Sequence, residues 1–500
     1  MKKLRLITAS VKLSFAVACL LATSFGSLSA QTSQVMYYMN LPQNHLLNPA
    51  LRPSNRVYVG LPGISGTAIR MNNNFVNFDD IIMRGGPQDS LITFLHPGYN
   101  ADKFLAKIKD KNSVEPEGMV QLFGLGFTAG KSYIFLDINE RVAGNFVIPG
   151  DLFRLALKGN SGFVGNSIDL SSLRGEMKAY HEVGFGFSRN YTERLRIGIK
   201  AKALFGIVAA GIDNNKLAIN VDGDYAHTLN ADMTYNFSFP HTIGNQQNAF
   251  LPDIKFNDFE PGNILETGNM GFGLDLGATY DLGKRIMLSA ALTDIGFIKW
   301  KKNVSNMTVK GQYTFNGLDL TEVLNGSQSI DEAGQAIVDS LDSHFKSVNT
   351  ENPFTTFLPY GFTAGASLRL TKSIGIGVLS YSRFIGTQVK QTLTFSANIN
   401  LGNALSTTLT YTAANHRYDN IGAGLSFRLG WMQIYAATDR IPIVWNKLVV
   451  DNGKGSIYLP SSWNSADIRI GMNFVFGNRA KKVKAPVVET PAEEGVVEEK

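Results

Sequence analysis

Beyond its first thirty residues this chain of 500 lacks any run of apolar residues long enough for a helix to cross a bilayer, which takes about 20. It carries instead one short unit many times over: an alternating strand, a tight polar turn, an alternating strand. In residues 194–204, Leu195, Ile197, Ile199, Ala201 and Ala203 fall on one face, and Arg196, Gly198, Lys200 and Lys202 on the other. That is the period of two of an extended chain, with one apolar and one cationic side. A single such strand also fits a soluble sandwich, so the repetition decides.

Strands 183–189, 272–280, 360–370, 392–400 and 421–427 each pass through a short turn into a second alternating run, and the connections 239–268, 299–358 and 439–464 are longer. Short turns on one rim and long loops on the other predict a transmembrane antiparallel β-barrel, whose strands hide their hydrophobicity in alternation. Charged residues make up 18% of the chain, below the roughly 25% of soluble domains. With 32 Phe there is ample apolar surface to bury, which excludes a disordered chain.

Counting back from the last strand predicts about 14 strands within residues 56–477, with 12–16 as the range, because 213–238 could add a hairpin. That last strand places Ile468, Ile470, Met472, Phe474 and Phe476 opposite Asp467, Arg469 and Asn473. Ile470, Met472, Phe474 and Phe476 are the expected signal read by barrel assembly machinery in the outer membrane.

Residues 1–30 read as a cleaved secretory signal peptide, with a basic start, an apolar stretch at 15–21 and small residues before Gln31. Lys2, Lys3, Arg5 and Lys12 lie in it, so the net charge of +6 falls to +2 without those four cations, and no basic block argues for nucleic acid. The one cysteine, Cys19, also lies there, leaving the mature chain with no disulfide or thiol chemistry. Residues 478–500 turn from basic to acidic around Pro486 and Pro491 and read as a disordered periplasmic tail. Within 331–346, Ala333, Ile337, Leu341 and Phe345 share one helical face, which predicts a short amphipathic helix in the longest outer loop.

No motif carries an enzymatic reading. The stretch 124–132 ends in Gly-Lys-Ser, but a phosphate-binding loop needs glycine at position 125, which is Leu125. The glycines of 271–277 alternate along a strand, where they make room for neighbours. The seven histidines show no metal-ligand spacing, and His416 with Asp419 reads as a surface turn rather than a nucleophile–base pair. We therefore expect no catalytic residues, no metal and no cofactor. Trp300, Trp431, Trp445 and Trp463 are expected in interfacial girdles.

The box Asn48-Pro49-Ala50, ahead of the first strand, resembles the N-terminal box of FadL-like outer-membrane transporters. Together with 271–280, a Thr293-Asp294-Ile295-Gly296 hairpin end and the Thr438-Asp439 strand end, it looks more like Bacteroidota relatives, the PorV-like proteins and the uncharacterised families around them. The resemblance implies a 14-stranded barrel in a Gram-negative outer membrane, with residues 31–55 folded inside as a plug that carries Asn48, Pro49 and Ala50. It implies two functions. One is passage of small hydrophobic molecules along a lumen with Phe- and Leu-rich inner surfaces. The alternative is a closed scaffold that docks secreted or outer-membrane partner proteins.

Overall fold

The computed structural model describes residues 34–478, apart from 85–90, 95, 97–99, 224–225, 244–248, 257–267, 316–338, 387, 415–416, 442–444, 451–454 and 461–464. Residues 1–30, the tail beyond 478, Trp463, His416 and most of the expected amphipathic helix lie outside the described residues.

Fourteen antiparallel strands close into a barrel. They are β1 (Asn55–Gly60 continued by Thr67–Asn73), β2 (Lys111–Ala129), β3 (Ser132–Pro149), β4 (Arg174–Asn190) and β5 (Leu195–Val221). Next come β6 (His227–Ser238 continued by Asn269–Leu282), β7 (Ile286–Trp300 and Val304–Phe315) and β8 (Phe345–Thr350, Phe354–Phe357 and Tyr360–Arg369). β9 (Ile374–Ile385), β10 (Gln388–Leu401), β11 (Leu405–Ala414), β12 (Arg417–Leu429), β13 (Met432–Thr438) and β14 (Ser465–Asn478) complete the wall. Closure runs through β14 against β1, with Phe476 opposite Val57 and Ile468 opposite Ile69. A closed sheet leaves no edge with unpaired backbone groups, the condition for a sheet to sit in hydrocarbon.

Alternation sorts the side chains. Phe395, Leu425 and Ile470 are each more than half exposed on the outside, as are Phe272 and Phe185, while Lys200, Asp137 and Asn473 are fully buried inside. An apolar exterior of this extent is a membrane belt rather than a soluble surface. Six short turns share one rim, and Gly130 and Gly430 occupy two of them at φ +55° and +61°, a backbone region open to glycine at little cost.

The structure corrects the loop assignments. Residues 213–238 add no strand to the barrel. They extend β5 and β6 upward: β5 pairs Leu195–Gly206 with the lower half of β6 and Ala209–Val221 with its upper half. The connection 239–268 therefore leaves β6 in mid-strand and returns to it. Likewise the described parts of 299–358 are largely wall: Val304–Phe315 pairs with upper β6 and with Phe345–Thr350. Residues 339–344 form one helical stretch, and Phe345 already begins β8. The upper extensions carry their own apolar core, in which Leu217, Met233, Phe237, Val309 and Phe345 pack beneath Ile168 and Leu170. Thus β2–β8 stand taller than β9–β13, and the rim steps down where β8 passes Tyr360, opposite Phe384 of β9.

Candidate functional site: the filled lumen and the cavities above it

Residues 34–54 run inside the barrel. Two single turns, Val35–Tyr38 and Pro42–Leu46, compact the segment, and Val35, Met36, Leu41, Asn48 and Ala50 are fully buried. Its upper end is held by Asp439, just after β13, whose carboxylate accepts the backbone N–H groups of Val35 (3.0 Å) and Gln34 (3.1 Å). The Gln34 side chain also bonds Thr392 and Thr394 on β10.

The Asn48-Pro49-Ala50 box makes a local turn in which the Asn48 Oδ1 accepts the Ala50 N–H at 2.9 Å. Asn48 Nδ2 donates to Tyr37 Oη (3.0 Å) and to the Ala290 carbonyl (3.3 Å). The wall is cut away to receive it: a Cβ on Gly277 would lie 2.1 Å from Asn48 Oδ1, and one on Gly198 2.2 Å from the Pro49 carbonyl carbon. Tyr38 lies likewise against Gly377, where a Cβ would meet its ring at 2.6 Å, and its hydroxyl donates to the Val378 carbonyl (2.7 Å).

Farther along, Gln43 Nε2 donates to Asn473 Oδ1 (2.7 Å) and to the Ser65 carbonyl (2.9 Å), and Asn473 Nδ2 returns a bond to Gln43 Oε1 (3.0 Å). Arg52 Nε donates to Ser188 Oγ at 2.7 Å near the short-turn rim. His45 stands between the Pro42 carbonyl (2.7 Å) and the Asp137 carboxylate (3.2 Å), its ring tilted against Phe135.

Asp137 belongs to a buried ionic network drawn from β3–β7. Lys200 reaches Asp137 (2.9 Å) and Glu182 (2.8 Å); Lys202 reaches Asp275 (2.7 Å) and Asp294 (2.5 Å); Arg141 pairs with Glu182 (2.8 Å). Thr293-Asp294-Ile295-Gly296 is no hairpin end. It is a mid-strand irregularity in β7, where Asp294 takes φ +61° and its N–H donates to Asp275 Oδ1 at 2.7 Å. The break brings a second carboxylate to Lys202 and interrupts the β7–β8 ladder between Phe357 and Gly361.

The inner surface is thus polar where a dry, Phe- and Leu-rich path was expected. Strand alternation spends the large apolar residues on the outer belt and leaves the charged ones to the lumen. Of the described tryptophans expected in interfacial girdles, Trp300 departs. Trp431 is exposed at a short turn and Trp445 on an outer hairpin, but Trp300 is fully buried in the wall against Gly206, donating to Thr356 Oγ1 at 2.9 Å. Ile470 and Phe476 of the closing strand face outward with Ile468, and Asp467 and Asn473 face inward.

Above the filled segment two cavities are stacked. The outer one, about 560 Å³, lies in the step between the tall and short walls, bordered by Ala209, Ile212, Phe354, Lys178, Phe384 and Gln388. Below it a cavity of about 80 Å³ reaches Leu46 and Leu47, with Leu358, Pro359 and Arg383 bordering both. Among the described residues no group of three or more His, Cys, Asp or Glu could hold a metal ion.

A family model described as "Family of unknown function (DUF5723)" matches residues 49–439, most of the chain. The chain belongs to this family. The DUF5723 match begins inside the Asn48-Pro49-Ala50 box and ends at Asp439, the residue that grips the buried segment. Among solved structures, the chain is similar to a Pseudomonas aeruginosa FadL homologue at 10% identity and a TM-score of 0.40, covering 91% of this chain and 100% of that one. It is also similar to the P. putida toluene transporter TodX (9%, TM-score 0.35, 90% and 94% covered) and to the CymD monoaromatic hydrocarbon channel (8%, 0.38, 91% and 100%). No curated protein matches the sequence.

Proposed function

We propose that this protein is an outer-membrane channel of a Gram-negative bacterium, gated by residues 34–54. A signal peptide at 1–30 would export it, and the outward face of β14 (Ile470, Met472, Phe474, Phe476) would serve barrel assembly. The observation that supports the channel reading is the stack in one lumen: an outer cavity reached from the step in the wall, a smaller cavity beneath it, and then a segment held by hydrogen bonds and apolar packing, with no covalent cross-link to the wall. Such a segment can be displaced without breaking a covalent bond or opening the wall. In this reading a solute enters at the step beside Phe384, and movement of Leu46 and Leu47 opens the lower lumen. The polar lining favours solutes with a polar or charged group over plain hydrocarbons.

The test compares proteoliposomes of the mature chain with those of a variant lacking residues 34–47. The intact protein should exclude small sugars, and the deletion variant should admit them in a swelling assay. A correctly folded deletion variant that stays impermeable would overturn the channel reading.

A second reading is a docking scaffold without transport. It is favoured by the filled lower lumen and by the wall that β2–β8 raise above β9–β13. Here removal of 478–500, or of the outer hairpin that carries Trp445, should abolish co-purification of an outer-membrane or secreted partner. Unchanged complexes would remove those segments from the reading.

A further inference from the structure

The small inner cavity is walled by Arg70, Arg141, Arg383 and Arg469, with only Glu117 and Asp294 as lining carboxylates. These four guanidiniums are not equally committed. Arg141 is paired with Glu182, and Asp294 belongs to Lys202. Arg70 and Arg383 share the single carboxylate of Glu117. Arg383 Nη1, Arg70 Nη2 and Arg469 Nε are buried and have no hydrogen-bond partner, although Arg70 and Arg383 are only 6% and 8% exposed. Asp467 stands behind, 4.0 Å from Arg70 Nε, as the countercharge of Arg70 and Arg469, its own two oxygens making no hydrogen bond, and Glu115 is engaged by Lys390. Asp439 is occupied by the Gln34 and Val35 N–H groups.

Leaving a buried guanidinium N–H without an acceptor is costly, so three such groups beside one cavity favour an acceptor bound there. Arginine presents a planar fork that fits a carboxylate or phosphate in two-point contact. The cavity, at about 80 Å³, has room for one such group and a few waters, and it opens upward past Arg383 into the larger cavity, where the rest of a molecule can lie.

We propose that the cavity ringed by Arg70, Arg383 and Arg469 is a binding site for the anionic head, carboxylate or phosphate, of a small organic acid whose remainder occupies the outer cavity. The inference deepens the channel reading by naming the class of solute. It rests on that reading for the route through the barrel, and the occupancy of the site is measured independently of transport.

The experiment is equilibrium titration calorimetry on the full mature protein in a non-ionic detergent at fixed ionic strength, with three probes: sodium hexanoate, hexanol and inorganic phosphate. Hexanoate should bind and hexanol should not. Binding of phosphate as tightly as hexanoate would assign the affinity to the head group alone, and weaker phosphate binding would show that the outer cavity contributes. Arg383→Gln and Arg469→Gln should each weaken hexanoate about ten-fold or more. Arg285→Gln, at the short-turn rim, should leave it unchanged. Equal binding of hexanol and hexanoate, or no heat from hexanoate up to about 10 mM (a free energy weaker than about 3 kcal/mol), would overturn the proposal. That comparison needs only the unmodified protein, so it stands even where an arginine variant fails to fold. Binding that follows the arginines in a barrel whose 34–47 deletion admits no solute would keep the site and discard the channel. A permeable deletion variant with no charge preference would do the reverse.

Discussion

Replacing Asn48 by alanine removes the turn that seats the buried segment against the wall. The Ala50 N–H, fully buried, loses its acceptor at 2.9 Å, and the side-chain amide bonds to Tyr37 and to the Ala290 carbonyl are lost with it. The orphaned N–H costs about 1–3 kcal/mol and each lost amide bond about 1, while Tyr37 keeps its bond to Ser289 Oγ, so the seating free energy falls by about 3 kcal/mol. Because 1.4 kcal/mol is a factor of ten, the unseated population should rise about a hundred-fold.

The chain has one cysteine, at position 19 in the expected signal peptide, so an introduced thiol can report on the segment alone. Leu51→Cys places that thiol one residue past the box, at a site 7% exposed. Maleimide labelling of Leu51→Cys in lipid vesicles should be slow, and the added Asn48→Ala should speed it by about two orders of magnitude, since labelling follows the open population when closing is fast. Barrel integrity is read in parallel as resistance of the folded band to unfolding at room temperature in denaturing gels. A labelling rate within about three-fold of the parent, in an intact barrel, would refute the claim that this turn holds the segment in place.

Three further outcomes follow from the same geometry. Gly277→Val sets a branched side chain where Asn48 Oδ1 already stands 2.1 Å from an added Cβ; it should expose the Leu51→Cys thiol at least as strongly while leaving the assembled barrel in the membrane. Lys200→Met strips the cation from Asp137 and Glu182, both fully buried, and should lower stability by about 3–5 kcal/mol in urea titrations of the vesicle-inserted protein. A loss below about 1 kcal/mol would mean that the network is already compensated by water. Phe395→Arg, on the outer belt, should cost about 2–4 kcal/mol in the same titration if β10 crosses the bilayer there, and near nothing if that face contacts water.

The candidate site was only partly legible in the chain. The Asn48-Pro49-Ala50 box could be singled out, and the alternation of Arg196, Gly198, Lys200 and Lys202 showed that a cationic face existed. The partners of those lysines could not be read. Asp137, Glu182, Asp275 and Asp294 lie on four other strands, and nothing local to an alternating run marks which distant lysine each one meets. The same limit hid the inner cavity: Arg70, Arg383 and Arg469 come from β1, β9 and β14, far apart in the chain and adjacent only through closure. Gly198 and Gly277 looked like ordinary strand glycines until the buried segment was found against them.

What the amino-acid order determined by itself was local: which residues extend, where short turns such as Gly130 and Gly430 fall, and which face of each strand is apolar. Period-two alternation and turn chemistry act over a few residues, so they survive in the sequence as pattern. The tertiary structure decided which face is inside, that 213–238, 304–315 and 345–357 heighten the wall rather than add strands or loops, and that Trp300 is buried. It also decided that Thr293-Asp294-Ile295-Gly296 interrupts a strand instead of ending one. Each of these depends on the register between distant strands, set only when β14 meets β1 and the lumen around residues 34–54 is enclosed.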